Sequence, residues 1–441
     1  MAITTTIGAS RSTTSIAIII IGLATLAAAH AGHGHAAEGS EMNKMPLDWI
    51  IILHIITQIL VWLIVFPIGM VLGSSRSKWH VPVQSAAMLV TGCLGYLSGM
   101  KHKGRQYPTS VHSTMAGIIV PYLVAQAAMG IFLKLHVLEN TKLRAWVVKL
   151  HGITGKTFPV VGWVQMIFGI ATVGSYCRGG SLGQCVAHYL MGSAFIAYGV
   201  VYALLLHIGA KSAVRGGYSQ DFVDSTVIML WGIVNTFTEH HGGAWSHKDL
   251  QHTMLGVLWW CGGALGMFMA RKGKRSIIPA GIIIMTGYVM SAHEQAMEIS
   301  TKVHAIFGYT LMAAGLTRII DICFISDQEE SSNLRAFQHL PPYLLILSGS
   351  LFMSATDEEL KVADSANFDH ATYAMVIFSI SFLLYLLVTT NINLYLHLTR
   401  DRNPAQQEQN KDTEMQQYER LSLEESSRQP HETIFDAAEH Q

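Results

Sequence analysis

The sequence predicts an all-α polytopic membrane protein with about 11 transmembrane helices. Of its 441 residues, 50% are hydrophobic and only 13% are charged, whereas soluble domains carry about 25% charged residues. Apolar runs also recur along the chain, and several reach the roughly 20 residues with which a helix crosses a bilayer core. Composition and run length therefore indicate the same class.

The first apolar run predicts a signal peptide over residues 1–31. This run extends from Ser15 to Ala29, which is short for a transmembrane helix, and it ends in the small residues that precede a cleavage site. Cleavage would leave a His-rich segment, residues 32–46, outside the cell or in a lumen. The alternative that the sequence leaves open is an uncleaved first span.

Eleven further apolar segments predict two modules. We expect a bundle of four or five helices over residues 47–210 and a six-helix module over residues 215–398. Residues 399–441 are polar and rich in charge, and they predict a disordered cytosolic tail. The expected spans are 47–72, 80–100, 112–134, 151–174, 187–209, 222–239, 252–270, 277–293, 302–322, 340–356 and 369–397.

The loop charges predict an N-terminus that is outside or lumenal and a cytosolic C-terminus. Cytosolic loops are enriched in Lys and Arg, and this orientation gives the cytosolic side most of them, in spite of an outer cluster at residues 101–105. The signal peptide indicates the secretory route, with the plasma membrane, vacuole and endoplasmic reticulum all open. The cytosolic basic residues include Arg76, Lys78, Lys142, Arg144, Lys149, Lys211, Arg215, Arg271 and Arg275.

Four histidines lie near the ends of the first four predicted spans. The orientation puts His54 and His112 towards the outer leaflet, and it puts His80 and His151 towards the inner leaflet. Ionisable side chains within a membrane are costly and usually functional. Two histidines on facing helices can ligate a haem iron. The alternative is that each is an interfacial or hydrogen-bonded core histidine.

The sequences around these histidines resemble the core of the cytochrome b561 family of transmembrane electron carriers. The strings are HIITQILVWLIVFPIG, HVPVQ, VHSTMAGIIVPYLVAQAAMGI and KLHGITGKTFPVVGWVQMIFGI, within about residues 47–175. The resemblance implies two haem b groups, one held by His54 and His112 and one by His80 and His151. It also implies a small-molecule cytosolic electron donor, often ascorbate. The basic residues suited to hold that donor are Lys142, Arg144, Lys149 and Lys156.

The second module gathers imidazoles and carboxylates at several helix ends on the predicted outer face. Such groups are ligands of zinc, copper and iron, so we expect a metal site there. The alternative is a polar outer loop with scattered histidines. The ligands we assign to the metal site are Glu239, His240, His252, His293 and His304.

This second half also resembles the fungal YTP-like integral membrane proteins. The strings EHHGGAWSHKDLQHT, AHEQ and VHAIFGYTLMAAGLTRIID carry the resemblance, which extends over about residues 215–395. It implies no particular activity. Arg318 and Asp321 lie three residues apart and predict a structural ion pair.

Two further patterns bear on partners and compartment. Cys177 and Cys185 flank a Gly-rich loop, and we expect them to pair if that loop faces an oxidising lumen. The net charge is zero, which gives no indication of a nucleic-acid partner. No Walker or Rossmann fingerprint occurs, which argues against bound ATP or NAD.

Together these patterns predict transmembrane electron transfer through two b haems, from a cytosolic donor to an extracytoplasmic acceptor. A ferric or cupric ion, or a metal chelate, is the type of acceptor that fits both halves. No residue is assigned a catalytic role. Two alternatives stay open. One is a haem-free metal-binding transporter or membrane metallohydrolase that uses the outer His/Glu cluster, and the other is a structural membrane protein.

Overall fold

The computed structural model describes residues 45–208, 218–240, 244–292, 294–325 and 334–400. It is 83% helix, and no strand occurs in these ranges. The predicted signal peptide, most of the His-rich segment and nearly all of the predicted tail lie outside the described residues. The longer helices of the described ranges are α1 Trp49–Ser74, α2 His80–Lys101, α3 Val111–Lys134, α4 Lys142–Gly174, α5 Leu182–Ile208, α6 Gln220–Thr238, α7 His247–Met269, α8 Ile278–Ser291, α9 Glu298–Ile325, α10 Leu340–Met353, α11 Asp357–Ser365 and α12 His370–Arg400.

Seven helices among the described residues are long and apolar enough to cross a membrane, so the predicted count of eleven spans is not confirmed. The seven are α1 to α5, α9 and α12. Each of the other four predicted spans is a helix, but α8 and α10 have only 14 residues, or about 21 Å of helix against a hydrocarbon core of about 30 Å. Helices α6 and α7 carry more polar residues, among them Asp221, Asp224 and Asp249.

Side-chain caps begin three of the first four helices. The Asp48 carboxylate accepts a hydrogen bond from the backbone N–H of Ile51 at 2.9 Å. Ser110 and Ser113 form a capping box at the start of α3, and the Thr141 hydroxyl accepts from the first turn of α4. Such caps satisfy N–H groups that the first helical turn leaves unpaired. The helix starts, and hence the depths of the histidines that follow, are therefore set locally by the sequence.

Aromatic side chains fill the centre of the bundle formed by α1 to α4. The ring of Phe66 lies 4.8 Å from that of Trp62 and 5.1 Å from that of Phe158, measured between centroids. Trp62 follows His54 by eight residues and Phe158 follows His151 by seven, so each is about 10–12 Å further along its helix. The aromatic cluster therefore lies between the levels of the two histidines.

Paired glycines allow helices of the second half to pack at close range. A Cβ atom at Gly308 of α9 would lie 2.4 Å from the carbonyl oxygen of Gly287 in α8, and one at Gly349 of α10 would lie 2.5 Å from that of Gly192 in α5. Small residues at such crossings are typical of membrane helices, which associate through close packing. The core that these helices enclose contains Tyr202, Phe307, Leu311, Leu347 and Leu351.

A disulfide joins Cys177, in the connection between α4 and α5, to Cys185 in the first turn of α5. The Glu358 carboxylate of α11 accepts hydrogen bonds from the backbone N–H of Cys177 at 2.7 Å and from the Ser181 hydroxyl at 2.8 Å. The short helix α11 is thereby tied to the disulfide loop.

A buried charged network lies where α6 begins and α9 ends. Arg318 donates hydrogen bonds to Asp321 at 2.9 Å and to Asp221 at 3.0 Å, and Arg275 donates to Asp221 at 2.9 Å. Asp221 and Asp321 are each 1% exposed. The predicted Arg318–Asp321 pair is therefore present and belongs to a larger network that joins two helices, in which the buried charges are compensated.

Candidate functional site

Two pairs of histidines face each other within the first four helices. His54 of α1 lies next to His112 of α3, with ring centroids 6.1 Å apart and ring planes at 86°. His80 of α2 lies next to His151 of α4, with centroids 6.3 Å apart and planes at 80°. The four histidines that the sequence singles out are thus brought together as two pairs, one towards each end of the bundle.

Backbone carbonyl groups orient three of the four imidazole rings. The Nδ1 atoms of His54, His80 and His112 lie 2.7, 2.9 and 3.2 Å from the carbonyl oxygens of Gly95, Gly69 and Gln165. A carbonyl oxygen only accepts, so Nδ1 carries the proton in each ring, and in the neutral ring Nε2 then keeps its lone pair. These rings therefore present Nε2 as a metal-ligating atom.

The two pairs are related by a repeated spacing. In α1, His54 is followed by Gln58, Gly69 and Gly73; in α2, His80 is followed by Gln84, Gly95 and Gly99, at the same offsets of 4, 15 and 19 residues. The helices run in opposite directions, so the glycines of each lie beside the histidine of the other. Each helix also has a π-helical segment after its histidine, Leu60–Val65 in α1 and Val90–Tyr96 in α2, and the second segment includes Gly95. Such segments are frequent at functional sites.

Helices α3 and α4 show a second repeat. Gln126 and Gly130 follow His112, and Gln165 and Gly169 follow His151, at offsets of 14 and 18 residues in both helices. Each glutamine side chain donates a hydrogen bond at 3.0 Å to the backbone carbonyl of the histidine on the facing helix. The glutamines therefore fix the axial position of one helix against the other at the level of each histidine.

Glycines allow the imidazole rings to lie against the neighbouring helix. A Cβ atom at Gly99 would lie 2.7 Å from Nδ1 of His54, and one at Gly73 would lie 2.8 Å from Nδ1 of His80. Real Cβ contacts are almost never shorter than 3.0 Å. Any larger residue at these two positions would therefore displace the imidazole.

The geometry of both pairs fits a haem iron with two axial imidazole ligands. With a metal–nitrogen bond of about 2.0 Å and Nε2 about 1.1 Å from its ring centroid, rings on opposite sides of one ion have centroids about 6 Å apart. The separations of 6.1 and 6.3 Å agree with this value. Gly73 lies beside His80 and follows His54 by 19 residues on the same helix. The two histidine pairs are therefore about 28 Å apart along the helix axis. The binding of haem itself stays a prediction.

The five residues predicted to bind a metal in the second half do not form one cluster among the described residues. The Glu239 carboxylate accepts a hydrogen bond from Nδ1 of His252. His240 stacks on Trp245 with ring centroids 3.8 Å apart, and its Nδ1 lies 3.9 Å from the Asp249 carboxylate. His304 lies beside a different histidine, His188. His293 lies outside the described residues.

Sequence reasoning missed two histidine pairs that join α5 to helices of the second half. His188 of α5 lies beside His304 of α9, and His207 at the other end of α5 lies beside His339, with ring centroids 5.6 and 5.7 Å apart. His188 and His207 stand singly within one apolar helix, where a lone histidine is usually a core residue. Because successive helices run in opposite directions, the sequence could have placed His188 at the same depth as His304, and His207 at the same depth as His339.

These features define the class of protein: an all-helical membrane protein in which histidines of neighbouring helices form pairs. The chain belongs to the YTP1-like family, because the family described as "Protein YTP1-like, C-terminal" matches residues 161–396, more than half of its length. A domain of unknown function, DUF2427, matches residues 34–136. The YTP-like resemblance is thus confirmed, and the cytochrome b561 resemblance of the first half stays a prediction.

Three relatives share parts of the sequence. Protein YTP1 of Saccharomyces cerevisiae is 44% identical over 242 residues, which cover 54% of this chain and 53% of the relative. Uncharacterized membrane protein C3B8.06 of Schizosaccharomyces pombe is 25% identical over 47% of this chain and 50% of its own length. Uncharacterized membrane protein YCR061W of S. cerevisiae is 26% identical over 50% and 44%. The chain thus spans about half the length of the relatives it matches. No solved structure matches it.

Proposed function

We propose that this protein transfers electrons across a membrane by means of two haem b groups, held by His54 with His112 and by His80 with His151. The observation that carries the proposal is the pair of imidazole–imidazole separations, 6.1 and 6.3 Å, at opposite ends of one four-helix bundle. A haem at each pair would supply a site that accepts and releases one electron.

The chain's own residues hold the imidazoles in position and keep water away. Hydrogen bonds from Nδ1 to backbone carbonyls fix the rotation of the rings, and such partners raise the basicity of the ligating nitrogen. Trp62, Phe66 and Phe158 are buried between the two levels. The result is two ligating positions separated by a dry aromatic layer.

The distribution of charge and the disulfide support one direction for the proposed electron transfer. A disulfide is typical of extracellular or lumenal compartments, and Cys177–Cys185 lies at the end of the bundle that holds His54 and His112. Four basic residues lie at or near the other end of the bundle, where they suit a small anionic donor such as ascorbate: Lys142, Arg144, Lys149 and Lys156.

The proposed path of the electrons therefore starts from a cytosolic donor at His80 and His151. It ends with an extracytoplasmic acceptor, for which a ferric or cupric ion or a metal chelate has the suitable chemistry. The proposed location is a membrane of the secretory route, with the C-terminus in the cytosol.

Electron transfer in proteoliposomes tests the proposal. Vesicles that contain the purified protein and trapped ferricyanide are mixed with external ascorbate, and loss of the trapped ferricyanide colour is recorded. Each ascorbate releases two electrons, one at a time, and so reduces two ferricyanide ions. We expect reduction at least tenfold faster than in protein-free vesicles, because the ions themselves cross lipid poorly.

Variants at each pair provide the internal comparison. Both His54→Ala/His112→Ala and His80→Ala/His151→Ala should reduce the rate to that of protein-free vesicles, because an electron needs both levels to cross. His370→Ala, at an exposed histidine that begins α12, is the matched control and should leave the rate unchanged. A wild-type rate equal to that of protein-free vesicles would contradict the proposal.

One contact favours the haem-free alternative of a metal-binding transporter or metallohydrolase. The hydrogen bond from Nδ1 of His252 to Glu239 is the arrangement by which carboxylates orient metal-ligating histidines. If this alternative is correct, purified protein is colourless and binds a metal that Glu239→Gln weakens by about 10–100-fold.

A further inference from the structure

A small cavity lies where α5 meets α6, α8, α9 and α10. Its volume is about 20 Å³, which is enough for one water molecule. Apolar residues of α8, α9 and α10 form much of its wall. The polar side chains that line it include Tyr198, Tyr202, Asp221, Asp224 and Arg318. The cavity is therefore a polar site within an apolar part of the protein.

The cavity lies towards the end of the protein opposite the disulfide. Along α5, Tyr198 and Tyr202 follow Cys185 by 13 and 17 residues, or about 20–26 Å. Asp224 is the fifth residue of α6, about 6 Å from the first residue along the helix axis. Its carboxyl is thus buried but close to one end of a helix.

The charges of the described residues at the cavity do not balance. Arg318 donates hydrogen bonds to Asp221 and Asp321, and Arg275 donates to Asp221, at distances of 2.9–3.0 Å. Two guanidinium groups and two carboxylates therefore compensate each other. Asp224 is a third carboxyl, and it is 9% exposed. If all three carboxyls were ionised, the group would carry one excess negative charge.

Asp224 is the carboxyl that can lose this charge at the lowest cost. Asp221 and Asp321 accept charge-assisted hydrogen bonds, which favour their ionised forms. The hydrogen-bonding neighbour of Asp224 is the neutral Tyr198 hydroxyl of α5. A buried carboxylate without its own cation is costly, and binding a proton removes that cost.

The groups that face Asp224 act in opposite directions. Burial and the charge of Asp221 on the same helix favour the protonated form, whereas Arg318 of α9 and Arg275 before α8 favour the ionised form. Tyr198 of α5 can accept a hydrogen bond from the protonated carboxyl and donate one to the carboxylate. The residues of α10 that line the cavity are apolar. The surroundings of Asp224 therefore accommodate both protonation states.

We propose that Asp224 is a proton-binding site inside the protein, which holds a proton near neutral pH and exchanges it reversibly with water. Protonation forms one O–H bond on the carboxyl and removes one negative charge from the network, and no electron is transferred. Buried carboxyls that exchange protons within a helix bundle are used by proton relays and proton-coupled transporters. The proposal goes beyond electron transfer and does not depend on haem binding in the first half.

Infrared spectroscopy of the purified full-length protein, in a detergent without ester groups, tests this proposal. A protonated carboxyl has a C=O band apart from the amide bands, and the band shifts in D2O. We expect the wild type at about pH 7 to show such a band that Asp224→Asn lacks, and the band should disappear reversibly as the pH is raised. Asp364→Asn, at an exposed position, is the matched control and should keep the band. Any band of Glu359 cancels in the difference between wild type and variant.

Unfolding midpoints provide a second readout. Asn has nearly the shape of a protonated Asp and carries no charge, so Asp224→Asn should keep the wild-type midpoint near neutral pH. Asp221→Asn, three residues earlier on the same helix, should lower the midpoint by several degrees, because it removes a carboxylate that accepts from Arg275 and Arg318. A loss in Asp224→Asn as large as that in Asp221→Asn would contradict a neutral Asp224.

Tyr198→Phe keeps the test valid if Asp224→Asn folds poorly. This variant removes the hydroxyl next to the carboxyl, so the C=O band should stay but move in frequency. Equal bands in the wild type, Asp224→Asn and Tyr198→Phe would overturn the proposal. The absence of any such band from the wild type would also overturn it and would assign an ionised carboxylate to Asp224. A band that persists until the protein unfolds at high pH would contradict reversible exchange. None of these results bears on haem, because no predicted haem ligand is changed.

Discussion

His54 and His112 face each other with ring centroids 6.1 Å apart, and each donates its Nδ1 proton to a backbone carbonyl on another helix. The acceptor for His54 is Gly95 of α2, and the acceptor for His112 is Gln165 of α4. All four helices of the first bundle therefore meet at this level. An imidazole pair whose rings and hydrogen-bond acceptors come from four helices is suited to bind one rigid, planar cofactor.

Removing one imidazole should affect one level only. His112→Ala removes the imidazole that faces His54, whereas His80 and His151 lie towards the opposite end of the bundle. We expect this variant to keep about half of the wild-type haem, since the second pair of ligands is intact. Haem extracted per chain, measured as the pyridine complex, gives the result. A full haem complement in His112→Ala would show that this pairing is wrong.

A single added methyl group should disturb the same level from the neighbouring helix. In Gly99→Ala the new Cβ would lie 2.7 Å from Nδ1 of His54, so the ring must move, at a cost of about 1–3 kcal/mol. We expect weaker haem retention at this level only. Gly281→Ala is the matched control, because nothing lies within 4 Å of that position. Equal haem retention in both variants would contradict the close approach on which the site depends.

The buried charged network should be necessary for stability. Arg318→Met leaves the buried Asp321 carboxylate without its guanidinium partner and leaves Asp221 with Arg275 alone, which should destabilise the fold by about 3–5 kcal/mol. A lowered midpoint of thermal unfolding in detergent would report this loss. Arg271→Met, at an exposed residue, should change stability by less than about 0.5 kcal/mol. Similar midpoints for the two variants would argue against a network that stabilises the fold.

The Glu359 carboxyl of α11 should make stability depend on pH. Burial raises the pKa of Glu359 above its usual value of 4.5, and the charge of Glu358 adds to this effect. A raised pKa means that the folded state holds the proton more tightly, so the stabilisation is complete below pH 4.5 and is lost as the pH rises through the folded-state pKa.

Glu359→Gln should remove this dependence. The amide oxygen can still accept the hydrogen bond that Tyr189 donates at 2.5 Å, and it carries no charge to bury. We expect the unfolding midpoint of the variant to rise relative to the wild type between pH 5 and pH 8. Asp364→Asn, at an exposed position on the same helix, controls for net charge. An unfolding midpoint of the wild type that rises relative to that of the variant with increasing pH would contradict the raised pKa of Glu359.

The sequence predicted most of the helices, because apolar runs are local features. The loop charges placed the first four histidines at two levels, and the cytochrome b561 resemblance implied how they pair. Apolar runs mark α1 to α5 directly. The crossing of a membrane by α6, α7, α8 and α10 stays a prediction, since each of these helices is short or carries more polar residues than the other seven. Hydropathy reports composition and does not report which neighbours cover a helix.

The arrangement of the second half could not be read from the sequence. His304 was grouped with Glu239, His240 and His252 because all were expected at the same face, yet its neighbour is His188 of α5. Level along the membrane normal follows from topology, whereas lateral neighbours depend on how helices pack. The close approach of α5 to α10 at Gly192 and Gly349 has no counterpart in a hydropathy pattern.

The visible absorption spectrum of the purified wild-type protein, oxidised and then reduced with dithionite, tests the central claim most directly. The proposed ligation of one haem by each imidazole pair predicts reducible b-type bands and two haems per chain. A colourless protein from haem-replete cells would contradict the account.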